Sequence, residues 1–426
     1  MHLACGDSLY HGRQKQMMLD SDWTDESHYF QAEDNERLRE ILKEGTFHAV
    51  MANPPYITPK DKAANDVYRD LYKTCHKSYS LSVPFMERIF RLAAHSGGFT
   101  GQITSNSFMK REFGKKLVEE FFPTVDVTHV IDSSGAYIPG HGTPTVILYG
   151  RNRKPMASTV RCIACVKGEP GTPADPSVGL NWTALVDATI GIPHVSEYVS
   201  ATDTPRESFA THPWSMGTPD ALNSIEIISS RRMTLSSFVK AVGASIVTRL
   251  DDVFLLPTRT LDRKNLSAQF HREATVGEHI RDWVFEDTLH ALWPYNSAAN
   301  AAETDHSVDK WLWPWRRPLR ERVAFGKTQI ERGLKWFEYS MPFLERNKSK
   351  HIFAYADKAT THNHFVRVDG TLIQDSASVV VLKSDVDDDK AKSILGMLNS
   401  STACFWLKQM SHNKGCLLYT SPSPRD

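Results

Sequence analysis

The stretch "HAVMANPPYITPKD", residues 48–61, runs from an apolar segment through Asn-Pro-Pro-Tyr into a charged loop. A short apolar run bounded by turn residues reads as a buried strand, here "FHAVMA" at 47–52. Each proline fixes its own φ and pushes the residue before it into an extended conformation. Asn53 is therefore expected at the carboxyl end of a strand with its amide aimed away from the sheet edge. Pro54 offers a carbonyl from a stiff backbone. Two fixed acceptors, one from a side chain and one from the main chain, can grip the two hydrogens of an NH₂ group. An exocyclic amino group conjugated with a ring is a poor nucleophile until acceptors bend it toward tetrahedral geometry. Tyr56 adds a flat apolar face on which a base can stack. The bland alternative is a proline-rich turn, but chance would place this tetrapeptide in a chain of this length only about once in a thousand. The residues suit methyl transfer onto an aromatic or amide nitrogen from a sulfonium donor. Proximity of nitrogen to methyl carbon would contribute most of the rate.

Around this stretch, strand and helix patterns alternate. "DNERLREILKE", 34–44, reads as a short amphipathic helix stopped by Gly45. "VPFMERIFRLAAHSGG", 83–98, reads as a helix closed by Gly97-Gly98, "FTGQITS" as a strand and "FGKKLVEEFF", 113–122, as a helix. "VTHVIDSS" and "TPTVILYG" follow as strands. This order predicts an α/β fold with a twisted, mostly parallel sheet over 1–150, whose strand carboxyl ends are where ligands bind. Residues 151–235 are rich in Pro, Gly, Ser and Thr and read as a connector with some structure of its own. Periodicity returns over 236–415, a mixed α+β region. It holds a hairpin candidate at 351–370 with Asp369-Gly370 at its turn and a closing helix at 391–409.

The totals bound the function. With 50 basic and 50 acidic residues, no global field draws the molecule to polyanions, so a nucleic-acid site must be a local patch. No run of about 18 apolar residues and no signal pattern stands in the sequence, which reads as cytoplasmic, with no membrane partner. Six cysteines do not make a disulfide framework. Cys162 and Cys165 form a CxxC without a second pair and read as packed strand residues; no metal site is expected. The tail "CLLYTSPSPRD", 416–426, breaks from the preceding pattern and looks like a translated sequencing adapter. The start, "MHLACGDSLYHG", looks like the interior of a domain, so a fragment of a longer reading frame is expected.

The tetrapeptide resembles the catalytic motif of class I S-adenosylmethionine-dependent amino methyltransferases. More narrowly, residues 2–415 resemble the PglX family, the adenine-specific DNA methyltransferases of BREX phage-defence systems. The segments that carry this are "LACGDSLYHGR", "NPPYITPKDK", "GQITSNSFMKREFGKKL", "IDSSGAYIPGHGTPTVILYGRNR" and "LNSSTACFWLKQMSHNKG". The resemblance implies a partial Rossmann-like methyltransferase sheet lacking its first strands, followed by a target-recognition domain. It implies S-adenosyl-L-methionine as cofactor, and double-stranded DNA and other phage-defence proteins as partners. Carried over, Asn53, Pro54, Pro55 and Tyr56 would form the catalytic motif, with Asn53 and Pro54 accepting from the adenine amino group. Tyr56 would stack on the flipped base; the energy of extracting that base must be repaid by such contacts. Asp7 would bond the cofactor's adenine amino group, its alternative being a strand-end turn. Leu81 would wall the cofactor's adenine pocket, its alternative being an ordinary core residue. Tyr137, or His141 as runner-up, would clamp the base, with plain loop packing as the alternative. A glycine-rich cofactor loop upstream of residue 53 is missing, so the fragment alone is expected to bind cofactor weakly and to be inactive.

Between Lys310 and Lys350, eleven basic residues face four acidic ones, interleaved with tryptophans. Arg316, Arg317 and Arg320, with Arg322 close by, are candidate phosphate contacts; the alternative is a solvated face over a tryptophan core. Lys110 and Arg111, after "SNSF", are a second candidate. The leading function is site-specific DNA adenine N6-methylation in bacterial phage defence. The alternatives are N-methylation of a protein glutamine or an RNA amino group, and a non-catalytic DNA-binding subunit of a defence complex.

Overall fold

The structure, a computed structural model, describes residues 5–10, 35–140, 142–191, 196–230, 233–281, 283–296, 301–359, 364–413 and 419–420. The chain divides into two compact units, one built mainly from residues up to Ser229 and the other from Ser230–Lys408. Among the described residues no helix is long and apolar enough to cross a membrane. Apart from 416 and 421–426, and from 417–418, the adapter-like tail contributes only the short strand Tyr419–Thr420; those other positions lie outside the described residues.

The first unit is a six-stranded sheet of β1 (Ala49–Ala52), β2 (Phe99–Ser105), β3 (Asp126–Asp132), β4 (Thr145–Arg151), β5 (Thr159–Cys165) and β6 (Val199–Pro205). Their order is β1-β2-β4-β3-β5-β6. β1 pairs parallel with β2, and β3 with β5; β4 runs antiparallel between β2 and β3, and β6 antiparallel to β5. The sheet is therefore mixed. Among the described residues no helix separates β3 from β4 to carry a parallel crossover, and without one the chain can only turn back. β5 and β6 come from the Pro- and Gly-rich stretch after Arg151.

Period-two alternation assigns the two faces. With α1 at Asn35–Ile41 and α2 at Lys62–Leu71, Val146 and Leu148 of β4 join Val130, Cys162 and the apolar side of helix α3 (Ser82–Leu92), including Val83, Met86 and Phe90. On the opposite face Ile131 and Ile163 pack with Ala184, Leu185 and Ala188 of the helix Leu180–Thr189. The expected helix 83–98 ends at Leu92; Gly97, at φ +99°, takes the left-handed turn that leads into β2. A helix the sequence reading passed over, Lys62–Leu71, starts at Asp61, whose carboxylate accepts from the Ala64 N–H at 2.8 Å.

The segment 113–122 is not one α-helix. A 3₁₀ turn at Glu112–Gly114, a π turn at Leu117–Phe121 and a 3₁₀ turn at Phe122–Thr124 replace it. At α spacing Leu117 and Phe122, five residues apart, would point well away from each other; the wider π turn keeps both buried. The other corrections lie in the second unit. Strands Ile352–Ala356 and Phe365–Arg367 do pair antiparallel, with Tyr355 opposite Phe365, so Asp369-Gly370 is not the point of reversal. Asp369-Gly370 instead leads the chain on to Leu372–Ile373, which pairs with Ala274 and Thr275 in another sheet. The closing helix is two helices, Asp388–Leu398 and Ser401–Met410. They break at Asn399, whose carboxamide bonds both the N–H and the C=O of Phe365 at 2.8 Å.

Gly114 shows how tightly the first unit is packed: a Cβ there would sit 1.9 Å from the Phe108 carbonyl oxygen. Gly114→Ala should lower stability by about 1–3 kcal/mol because backbone, not a flexible side chain, must yield. Gly171→Ala, where a Cβ meets nothing within 4 Å, should change it by about 0.5 kcal/mol or less. Urea midpoints of the two variants check this.

Candidate active site

β1, β2, β3 and β5 run in one direction, so their carboxyl ends share one edge of the sheet. Asn53 follows β1 directly and is exposed, Pro54 is buried, Pro55 is exposed and Tyr56 is half-buried. The Tyr56 hydroxyl donates to Asn53 Oδ1 at 2.9 Å and lies 3.5 Å from the Ile103 carbonyl of β2. Burial pushes the phenol above its ordinary pKa, which keeps the proton available for that bond. A carboxamide oxygen has two lone pairs. Tyr56 uses one and so orients the amide; the second is free for an incoming donor. The tyrosine thus has a positioning part in addition to the stacking face read from the sequence.

The loop after the motif is tied down by the Leu81 N–H, which donates to the Ile57 carbonyl at 2.8 Å. Leu81 is half-buried at the head of α3 and packs against the main core. Asp7 Oδ1 accepts from the Leu9 and Tyr10 N–H groups at 2.8 and 3.2 Å, forming the turn that was its alternative reading. Its Oδ2 accepts from the Tyr68 hydroxyl. Arg88, 1% exposed, holds the Asp7 segment against α3 by donating to the Ser8 and Leu42 carbonyls and to Glu44.

Three residues not singled out from sequence share the edge or the strands beneath it. Asn106 follows β2, and its Oδ1 is buried without a protein partner. Gln102, 2% exposed and opposite Ala52 in register, has neither amide atom partnered. A glutamine inside the apolar "GQIT" was the available signal, since buried polar groups almost always find partners. Asp132 ends β3, and burial raises its carboxyl pKa against the pull of Lys110. Lys110 itself is turned inward: its ammonium donates to Ser215 Oγ at 3.4 Å and to the Gln409 carbonyl. Burial brings its pKa down to about 8, with Asp132 working the other way. Arg111 is half-buried with its guanidinium 5.4 Å from the Phe113 ring. Tyr137 is 38% exposed in the turn after β3, and His141 lies outside the described residues. Cys162 is packed in the core and Cys165, an odd number of positions on, faces the other side near Asn181.

In the second unit Arg316, Arg317 and Arg320 are exposed on the helix Arg316–Glu321. Arg316 stacks 4.5 Å from the Trp313 ring centre, and Arg317 pairs with Glu321 at 3.0 Å. Arg322 differs: it is buried and donates to the carbonyls of Thr248, Leu319, Trp336 and Glu338. Burial lowers its pKa to about 10.

Comparison with known proteins fits this geometry. Residues 7–137, which include the motif and its edge, match the family described as Eco57I restriction-modification methylase. The solved structure of the Type IIL restriction-modification enzyme MmeI, in complex with DNA, superposes with a TM-score of 0.55 at 9% identity, covering 87% of this chain and 45% of that one. At that identity the likeness concerns the fold. Residues 7–137 are thus similar to a methylase segment of the restriction-modification class. Over 97% of its length the chain is 39% identical to adenine-specific methyltransferase PglX of Streptomyces coelicolor. It spans 36% of the length of that relative.

Lys110 yields a pH dependence. Its folded-state pKa lies below the ordinary 10.5, so between about pH 8 and 10.5 the unfolded chain holds the proton more tightly. The stability it contributes therefore rises with pH across that window. Relative to Lys110→Met, the native chain should gain on the order of 1–3 kcal/mol over that range. A difference in urea midpoints that stays flat with pH would refute it.

Proposed function

We propose that this chain is the catalytic and target-recognition part of a site-specific DNA adenine N6-methyltransferase that serves in bacterial phage defence of the BREX type. The observation that carries this reading is the exposed Asn53 carboxamide at the carboxyl end of β1, oriented by the Tyr56 hydroxyl at 2.9 Å. Kinship with PglX supports adenine as the base and DNA as the polymer. Asn53 Oδ1 and the Pro54 carbonyl accept the two amino hydrogens of a flipped adenine and draw its lone pair out of conjugation. The Tyr56 ring covers the base face, and Tyr137 is a second aromatic within the same edge. Residues 236–415 form the target-recognition region, where Arg316, Arg317 and Arg320 contact phosphates.

S-adenosyl-L-methionine, when bound, supplies the electrophilic methyl group. Asp7 fits a part in holding it: Oδ1 is filled by two backbone donors, whereas Oδ2 keeps a lone pair beside its bond from Tyr68. One amino hydrogen of an adenine ring can use it, with Leu81 as an apolar wall.

In the full-length protein, Asn53→Ala should cut methyl incorporation into DNA roughly a hundredfold or more while DNA binding stays intact. Tyr56→Phe, which loses one hydrogen bond, should cost about tenfold. Incorporation of tritiated methyl groups reads both. Undiminished transfer by Asn53→Ala would remove the mechanism. Transfer to a release factor or RNA in place of DNA would favour the protein- or RNA-directed alternative, and binding without transfer the non-catalytic one.

A further inference from the structure

Strands Val323–Ala324 and Lys327–Thr328 form a two-residue hairpin, pairing Val323 with Thr328 and Ala324 with Lys327. Its tip is Phe325-Gly326, with φ of +54° and +75°. Positive φ at both tip positions is the type I′ turn, which favours Asn, Asp or Gly at the first of them. A phenylalanine there is held in a backbone region that bulky side chains avoid. It is also 87% exposed. Two unfavourable features at one residue, a disfavoured backbone and a bare aromatic ring, point to a use outside the fold.

The hairpin is a stiff mount for that ring. Arg322, immediately before it, is buried and bound to four main-chain carbonyls. Gln329, immediately after it, is fully buried, its side-chain N–H₂ donating to the carbonyls of Lys335, Glu338 and Tyr339. Both feet are thus fixed in the interior, so little conformational freedom is left to lose on contact. Exposed cations stand close in the chain on either side: Arg316, Arg317 and Arg320 before it and Lys327 within it. A rigid apolar side chain flanked by cations is the combination by which proteins wedge base steps apart while holding phosphates.

We propose that Phe325 is a wedge that inserts between stacked bases of duplex DNA when the second unit binds its target. This rests on the DNA-methyltransferase reading. The ring enters a base step, its face replaces part of the lost base stacking, and the neighbouring cations hold the backbone on both sides. The partner is duplex DNA rather than an apolar protein surface, because the exposed cations that flank the ring in the chain call for a polyanion.

The test uses the full-length protein and a duplex it selects from a random-sequence pool, with 2-aminopurine placed at successive positions of the selected site. Asn tolerates the left-handed backbone, so Phe325→Asn should keep or raise the thermal midpoint. It should nonetheless bind the selected duplex about tenfold or more weaker and lose the fluorescence rise at one base step. Phe325→Trp should retain both. Equal affinity and equal fluorescence for Phe325→Asn would overturn the proposal, as would a lowered thermal midpoint with unchanged unstacking, which assigns the ring to folding. Enrichment of no sequence by the native protein would instead strike the DNA reading itself. An affinity loss that Phe325→Trp shares, without any unstacking by the native protein, would place the ring on a surface contact and overturn the wedge.

Discussion

The parallel pairing of β1 with β2 is the constraint on which the first unit depends. It places Ala52 beside Gln102 and so delivers Asn53 to the same edge as the ends of β2 and β3. Had β1 paired antiparallel, the motif would have emerged at the other edge, away from Asn106 and Asp132. The hydroxyl bond from Tyr56 then converts a strand end into an oriented acceptor. The Leu81 N–H fixes the far side of the loop to α3. A short parallel pair, a local side-chain bond and one helix terminus together define the direction of a single carboxamide.

The second unit relies on a different device, the burial of polar side chains whose donors are all directed at main-chain carbonyls. Arg322 and Gln329 do this on either side of the exposed hairpin, and the Tyr339 hydroxyl bonds the Leu292 carbonyl in the same core. A buried charge is costly unless its hydrogen bonds are met, and the four carbonyls around Arg322 meet them. The tryptophan-rich sequence therefore divides into two populations. Trp293 and half-buried Trp311 serve the core, whereas Trp313 and Trp315 stay exposed near the arginine helix. From sequence, Trp311, Trp313 and Trp315 read as one basic, aromatic stretch with a tryptophan core as its alternative.

The Asn-Pro-Pro-Tyr edge was legible because its signal is local: residue types in immediate succession, after an apolar run, with proline limiting the backbone. α3 was legible from its spacing, and β2 to β4 were read as strands from their place between the helical segments. The π turn at Leu117–Phe121 was not, because α and π turns differ only in how far the buried side chains wander, and packing against the sheet settles that. The break at Asn399 was hidden because its partner, Phe365, is 34 positions away. The inward turn of Lys110 was hidden for the same reason, since Ser215 is 105 positions distant. From sequence a lysine after a strand reads as a surface cation.

The sequence by itself determined the chemistry available at the end of β1 and the alternation of strands and helices that presents it, because covalent neighbours and short-range periodicity carry that information. Only the tertiary structure decided that Tyr56 orients Asn53 against β2, that Asp7 keeps one open acceptor beside Tyr68, and that Arg322 faces inward while Phe325 faces out. Each of these depends on which distant segment occupies the neighbouring volume. That is set by the register of strands and the packing of cores, which no run of adjacent residues records.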